Sequence, residues 1–231
     1  MLLYQEESGF LFNSDAHFLY DFISKTKPKG RVLDVGCGCG VVGLLLKRDF
    51  SIDLTGIDLQ DHNILLSKIN ARVNSLEAKF VNIDFREFED EKKFDFIISN
   101  PPYYHEGVSK SQNSIIQKSR YNSFLELEEF IKKSNSLIKP KGELIFCYDA
   151  KQIQSILALL SKYKFRVNKI RFVYGKMQKD ANLVLIEAKK SSNSLCKIEA
   201  PLIHFVDEDL SAEAKNIYQK TRTYSIKCKT L

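Results

Sequence analysis

The chain has 231 residues, of which 44% are hydrophobic and 28% charged, with a formal net charge of +6. These values suit one ordinary globular domain whose core needs no disulfides, and they exclude a disordered or collagen-like chain. The opening Met1-Leu2-Leu3-Tyr4-Gln5-Glu6-Glu7 has neither the basic start of a secretory leader nor an uninterrupted apolar run, so a cytoplasmic protein with no membrane association is expected.

Ser14 or Asp15 can cap a first helix whose Phe18, Leu19, Phe22 and Ile23 recur at helical spacing and which ends before Pro28 and Gly30. Arg31-Val32-Leu33-Asp34-Val35 then reads as a strand, followed by a glycine-rich turn and a helix from Val41 to Arg48. The unit repeats with strands at Ile52 to Ile57, Ala78 to Ile83 and Phe94 to Ser99, and with a helix over Asp61 to Asn74. A helix at Glu126 to Leu137 stops at Pro140 and Gly142 and leads into a fifth strand, Glu143 to Tyr148. After a helix at Ile153 to Leu160, the stretches Phe165 to Tyr174 and Asn182 to Ala188 form a closing pair of strands. Short apolar strands alternating with helices predict an α/β fold: a doubly wound, mostly parallel, seven-stranded sheet covered on both faces. Residues 1–30 form an N-terminal cap segment and helix, 31–190 the main domain, and 191–231 a C-terminal extension packed on it. In that extension Ile203 to Val206 adds a short strand and Ser211 to Lys220 a last helix.

The turn after the first strand of the sheet is Asp34-Val35-Gly36-Cys37-Gly38-Cys39-Gly40. Glycines belong where backbone bends sharply and must approach a ligand with no β-carbon between them, and the following helix offers unpaired N–H groups. Asp58 closes the second strand, where a carboxylate can accept from both hydroxyls of a ribose. Asp84 closes the third and can meet the amino group of an adenine, with Ile83 or Phe85 beside the ring. Gly38-x-Gly40-x-x-Gly43 also fits a dinucleotide fingerprint, so the glycines alone admit either NAD or S-adenosylmethionine. Two features favour the latter: Asp34, placed to contact a cationic amino acid moiety, and the earlier glycine at Gly36.

The fourth strand delivers Ser99-Asn100-Pro101-Pro102-Tyr103 at its carboxyl end. A planar amino nitrogen is a poor nucleophile because its lone pair is delocalised. Acceptors such as the Asn100 side-chain carbonyl and the Pro101 backbone carbonyl can draw its two hydrogens aside and free that pair. The prolines, Pro101 and Pro102, stiffen the loop, and Tyr103 can stack on a planar substrate for about 1–3 kcal/mol per base. A Pro-Pro turn with Asn100 merely capping backbone is the bland alternative.

The Asp-x-Gly-x-Gly-x-Gly turn resembles the first motif of class I S-adenosylmethionine-dependent methyltransferases, and Asn-Pro-Pro-Tyr resembles the catalytic motif of their amino-methylating members. That resemblance implies a Rossmann-like fold, S-adenosyl-L-methionine as cofactor, and an amino nitrogen as acceptor. The acceptor could be adenine N6 in DNA or RNA, guanine N2 in rRNA, or glutamine N5 in a protein. The opening Tyr4-Gln5-Glu6-Glu7-Ser8-Gly9-Phe10 with Asn13-Ser14-Asp15, the later Arg120, and Pro201-Leu202-Ile203 with Ala212 to Tyr218 resemble bacterial valine-tRNA adenine-N6 methyltransferases. Cys37, Cys39 and Tyr121-Asn122 depart from that pattern.

Seven basic residues and no acids lie from Ser161 to Lys179, and Val108 to Asn122 carries Lys110, Lys118 and Arg120 without acids. On the substrate side of the resembled fold these stretches imply phosphate contacts from Lys110, Arg120, Lys169 and Arg171 to an RNA, with tRNA the expected substrate. About 30 residues precede the first sheet strand, fewer than a separate protein-recognition module needs. A non-catalytic cofactor- or RNA-binding module is the remaining alternative. The five cysteines and four histidines lack ligand spacing, so no metal is expected; no obligate protein partner is implied, and the chain is expected as a monomer or weak dimer.

Overall fold

The computed structural model describes residues 1–6, 12–101 and 126–228. The central sheet is built from β2 (Gly30–Val35), β3 (Ile52–Asp58), β4 (Lys79–Asn82), β5 (Phe94–Ser99), β6 (Ile138–Asp149), β7 (Phe165–Lys176) and β8 (Ala181–Lys190). Their order is β4-β3-β2-β5-β6-β8-β7, parallel except for β8. This is the doubly wound arrangement expected from the alternation of strands and helices. The sheet is wider than seven strands, however. β9 (Lys197–Ile198) pairs with β7, β10 (Leu202–Val206) extends the β7 edge in parallel, and β11 (Asp209–Leu210) pairs with β10, giving ten strands. The C-terminal segment thereby covers what would otherwise be an open edge.

Helices α1 (Ser14–Ser24), α2 (Val41–Asp49), α3 (Asp61–Val73) and α6 (Ala212–Thr221) cover one face of the sheet, whose core includes Leu19, Leu45, Ile98 and Ile145. Helices α4 (Leu127–Leu137) and α5 (Ile153–Lys162) cover the other, over Leu33, Ile97, Phe146 and Ile186. Successive residues of a strand enter opposite faces, so Ile97 and Ile98 belong to different cores, and the middle of β8, Leu183 to Ile186, is apolar without a break. Asn13, one residue before the expected cap, begins α1: its side chain accepts from the Asp15 N–H at 3.0 Å.

The first residues hold a strand that the sequence pattern did not reveal. β1 (Leu2–Glu6) pairs in parallel with β12 (Tyr224–Cys228), so the two ends of the described chain form a separate ribbon. Two amides, one in α3 and one at its C-cap, dock it. Asn70 accepts from Tyr4 N at 2.7 Å and donates to Tyr4 O at 3.0 Å, and Asn74 does the same with Leu2 at 3.0 and 2.7 Å. Four residues of helix rise about 6 Å and two of strand about 6.8 Å, so side chains four apart can serve alternate strand residues. Among the described residues no helix is long and apolar enough to cross a membrane.

Candidate active site

β2 lies where the strand order reverses, with β3 on one side and β5 on the other, and the crevice beyond the carboxyl ends of such strands is where this architecture binds ligands. Val35 of β2 stands opposite Ser99 of β5, so the glycine turn and Asn100-Pro101 leave the sheet side by side. The Ser99 hydroxyl reinforces the junction by donating to Val35 O at 2.7 Å.

Gly36, Gly38 and Gly40 all have positive φ (66, 55 and 85°), which residues with a β-carbon rarely adopt. A β-carbon at Gly36 or Gly38 would meet no atom within 4 Å, so the backbone here faces open space. Gly43 is required for the opposite reason: a β-carbon there would stand 2.8 Å from Asp34 Oδ2 and 3.0 Å from Leu54. Helix α2 is therefore seated directly against β2 and β3.

Asp34 is 3% exposed, and its Oδ2 accepts from Gly43 N at 3.1 Å, capping the first turn of a helix whose preceding Gly40 has no side chain to do so. Burial pushes its carboxyl up to about 7, opposed by the Gly43 hydrogen bond and reinforced by the charge of Asp58. Asp58 accepts from Gly38 N at 2.9 Å through Oδ2, and from Gln60 N at 2.9 Å and Asn63 Nδ2 at 3.1 Å through Oδ1. Three of its roughly four acceptor positions are thus filled from within the chain. The carboxylate fixes the glycine turn and keeps capacity for one ribose hydroxyl in this arrangement, where two were expected.

Asp84 is chelated by Arg86, which holds its carboxyl below the usual range. Phe85 stands away from the crevice: it is 5% exposed and packs on Phe130 at 5.9 Å between ring centroids. Of the two side chains expected beside an adenine, half-buried Ile83 is the one with surface to offer.

Pro102, Tyr103, Lys110 and Arg120 lie outside the described residues. Lys169 and Arg171, expected to contact RNA phosphates, are described, and both are paired with acids of the chain. Lys169 Nζ is 2.5 Å from Glu187 Oε2 and lies over the Phe22 ring at 5.3 Å. Arg171, 5% exposed, gives Nη2 to both oxygens of Glu213 at 2.7 Å and Nε to Ala200 O at 3.0 Å. The Lys169 pair spans the β7–β8 ladder, whereas Arg171 ties β7 to α6.

Two residues that the sequence did not single out join the site. Asn70 Nδ2 donates to Cys39 O at 2.9 Å, linking the glycine turn to the terminal ribbon. Cys147 Sγ lies 2.8 Å from Asn100 Oδ1. Nothing in a linear pattern signals either one, because each acts across elements far apart in sequence. All five cysteines are free thiols, and among the described residues no cluster of three or more His, Cys, Asp or Glu side chains could hold a metal ion.

Residues 12–173 match the Methyltransferase small domain family. The chain belongs to that family. It is an S-adenosylmethionine-dependent methyltransferase, and the residues present fit that cofactor: open glycine backbone, the N-terminus of α2, and carboxylates at two strand ends. A similar protein from Parabacteroides distasonis, 24% identical over 85% of this chain and 86% of its own length, is named tRNA1(Val) (adenine(37)-N6)-methyltransferase. Ribosomal RNA small subunit methyltransferase C of Actinobacillus pleuropneumoniae is 36% identical over 99 residues, 42% of this chain and 29% of its own length. Among solved structures, a protein from Agrobacterium tumefaciens described as a predicted O-methyltransferase superposes with a TM-score of 0.70 at 16% identity, covering 92% of this chain and 99% of that one. It carries the same fold.

Proposed function

We propose that this enzyme methylates the exocyclic N6 amino group of an adenine in RNA, with tRNA as the substrate. The observation that carries the reading is the emergence of Asn100-Pro101 beside the glycine turn, on the strand neighbouring β2. When bound there, the cofactor supplies a methyl group activated by its sulfonium. Asn100 Oδ1 and the Pro101 carbonyl accept the two N–H hydrogens, which shifts nitrogen electron density out of the ring and toward the methyl carbon. Tyr103 stacks on the base, and no strong base is required of the protein. A base paired or stacked in RNA must first be extruded, which costs a few kcal/mol and is cheapest in a loop. The near full-length similarity to the valine-tRNA enzyme supports this substrate. A cytoplasmic location agrees with it.

Guanine N2 of rRNA is the second reading, supported by the 36% identity to the ribosomal enzyme over part of this chain. One experiment separates the two. The protein is incubated with methyl-labelled S-adenosylmethionine and, separately, purified tRNA, rRNA, DNA and protein, followed by nucleoside mass spectrometry. The expected product is N6-methyladenosine in the tRNA arm. N2-methylguanosine in the rRNA arm selects the second reading, and label confined to protein overturns both.

A further inference from the structure

Cys147 lies on β6 one residue beyond Phe146, which stands opposite Ser99 across the parallel ladder. The register therefore sets the thiol beside Asn100, the first residue after β5. Cys147 also belongs to the core that contains Ile98 and Ile145, so it projects on the face covered by α1 and α2. It is 0% exposed, and its Sγ stands 2.8 Å from Asn100 Oδ1 with the thiol as donor. Burial, with the charge of Asp15 added, pushes the thiol well above its ordinary range, so it keeps its proton throughout the neutral region.

A primary amide presents an acceptor on one arm and two donors on the other, and rotation about its last bond exchanges them. At Asn100 that exchange matters, because an NH₂ turned toward a substrate amino group would set donor against donor. An apolar neighbour would leave the two orientations alike; a thiol proton favours oxygen.

We infer that Cys147 is a positioning residue for methyl transfer, whose S–H hydrogen bond holds the Asn100 amide with its oxygen as the acceptor and leaves that oxygen one lone pair for a substrate N–H. This rests on the reading of Asn100 as the acceptor of the substrate hydrogen. It adds a consequence: the second substrate hydrogen must go to another acceptor, which is the assigned role of the Pro101 carbonyl.

The test uses the full chain with Cys147→Ala and Cys147→Ser. Cys147→Ala is expected to lower kcat about tenfold, the equivalent of one modest hydrogen bond in the transition state, with the Kd for S-adenosylmethionine unchanged. Cys147→Ser, whose hydroxyl can donate to the same oxygen, is expected to recover most of that loss. Wild-type kcat in Cys147→Ala, or equal impairment in both variants, overturns the inference. A readout independent of turnover is the infrared S–H stretching band of the wild-type protein, expected to shift when Asn100→Ala removes the acceptor. An unmoved band overturns it even if the Cys147 variants do not fold. Should Asn100→Ala retain activity, the failure lies in the proposed role of Asn100. Should Asn100→Ala be inactive while Cys147→Ala is fully active, only the role of Cys147 fails.

Discussion

The glycine turn and strand β7 both look functional in the sequence, one through its glycines and the other through its run of lysines and arginines, yet their structures diverge. In the turn, what matters is backbone: positive φ, glycines with open space beside them, and carboxylates held by backbone N–H groups. A motif of that kind survives folding because no side chain has to remain free for it to work. In β7 the argument depends on charge, and charge counts toward a polyanion only if nothing inside the protein claims it. Glu187 claims Lys169 and Glu213 claims Arg171, while the pair of Lys176 with Glu208 at 2.8 Å is open to solvent. The lesson is that glycine patterns report local geometry, whereas a basic run reports a partner only after its acids elsewhere in the chain are known.

The largest expected effect breaks the site side of this comparison. Asn100→Ala should lower kcat by about 10²–10³-fold, the loss typical of one preorganised polar group, while the Kd for S-adenosylmethionine measured by calorimetry stays within about twofold. Retained activity would return Asn100 to a structural cap. Next is a pH effect at Asp34. Its folded-state carboxyl titrates at about 7, above the value of a solvated carboxyl, so its contribution to stability is complete in acid and is lost as the pH rises toward 7. A cationic ligand group needs the ionised form. Cofactor affinity should therefore weaken as the pH falls below about 7, by close to tenfold per unit, and Asp34→Asn should flatten that profile. A wild-type profile that is itself flat between pH 5 and 7 would mean that Asp34 meets no cation.

Gly43→Ala sharpens the contrast from the packing side. Its β-carbon has no room against Asp34 and Leu54, so a loss of about 1–3 kcal/mol in stability is expected in denaturant titration. The smallest effect concerns β7. Lys169→Gln with Arg171→Gln should reduce stability by about 1–2 kcal/mol, since Glu213 is partly screened by solvent, and leave the slope of log affinity for RNA against log salt unchanged. A shallower slope would restore these cations to the RNA interface.

Much of the fold was legible because its signals are local. Alternating short apolar runs and amphipathic helices fixed the order of elements, and residues as far apart as Val35 and Ser99 fell at strand ends because glycines and prolines mark those ends. Side chains beside the crevice were harder to assign. Phe85 reads as a strand-end aromatic suited to an adenine, but the apolar space under α4 takes it first, since burying a ring in a formed core releases more water-exposed surface than lining an open cleft. The ribbon of β1 and β12 was invisible because the buried face of β1 consists of Leu3 and the polar Gln5, which write no apolar alternation, and because Tyr224 to Lys227 of β12 are exposed throughout.

The sequence by itself determined the Asp-Gly-rich turn, the two carboxylates after it and the Asn-Pro-Pro-Tyr segment, because each is a contiguous pattern whose chemistry follows from residue type and from its place at a strand end. Tertiary structure alone decided which groups meet. Asp58 holds Gly38, Asn70 joins the turn to the terminal ribbon, Arg171 is spent on Glu213, and Cys147 stands against Asn100. These contacts arise from strand register and helix packing, which couple residues across dozens of positions and leave no periodicity in the chain.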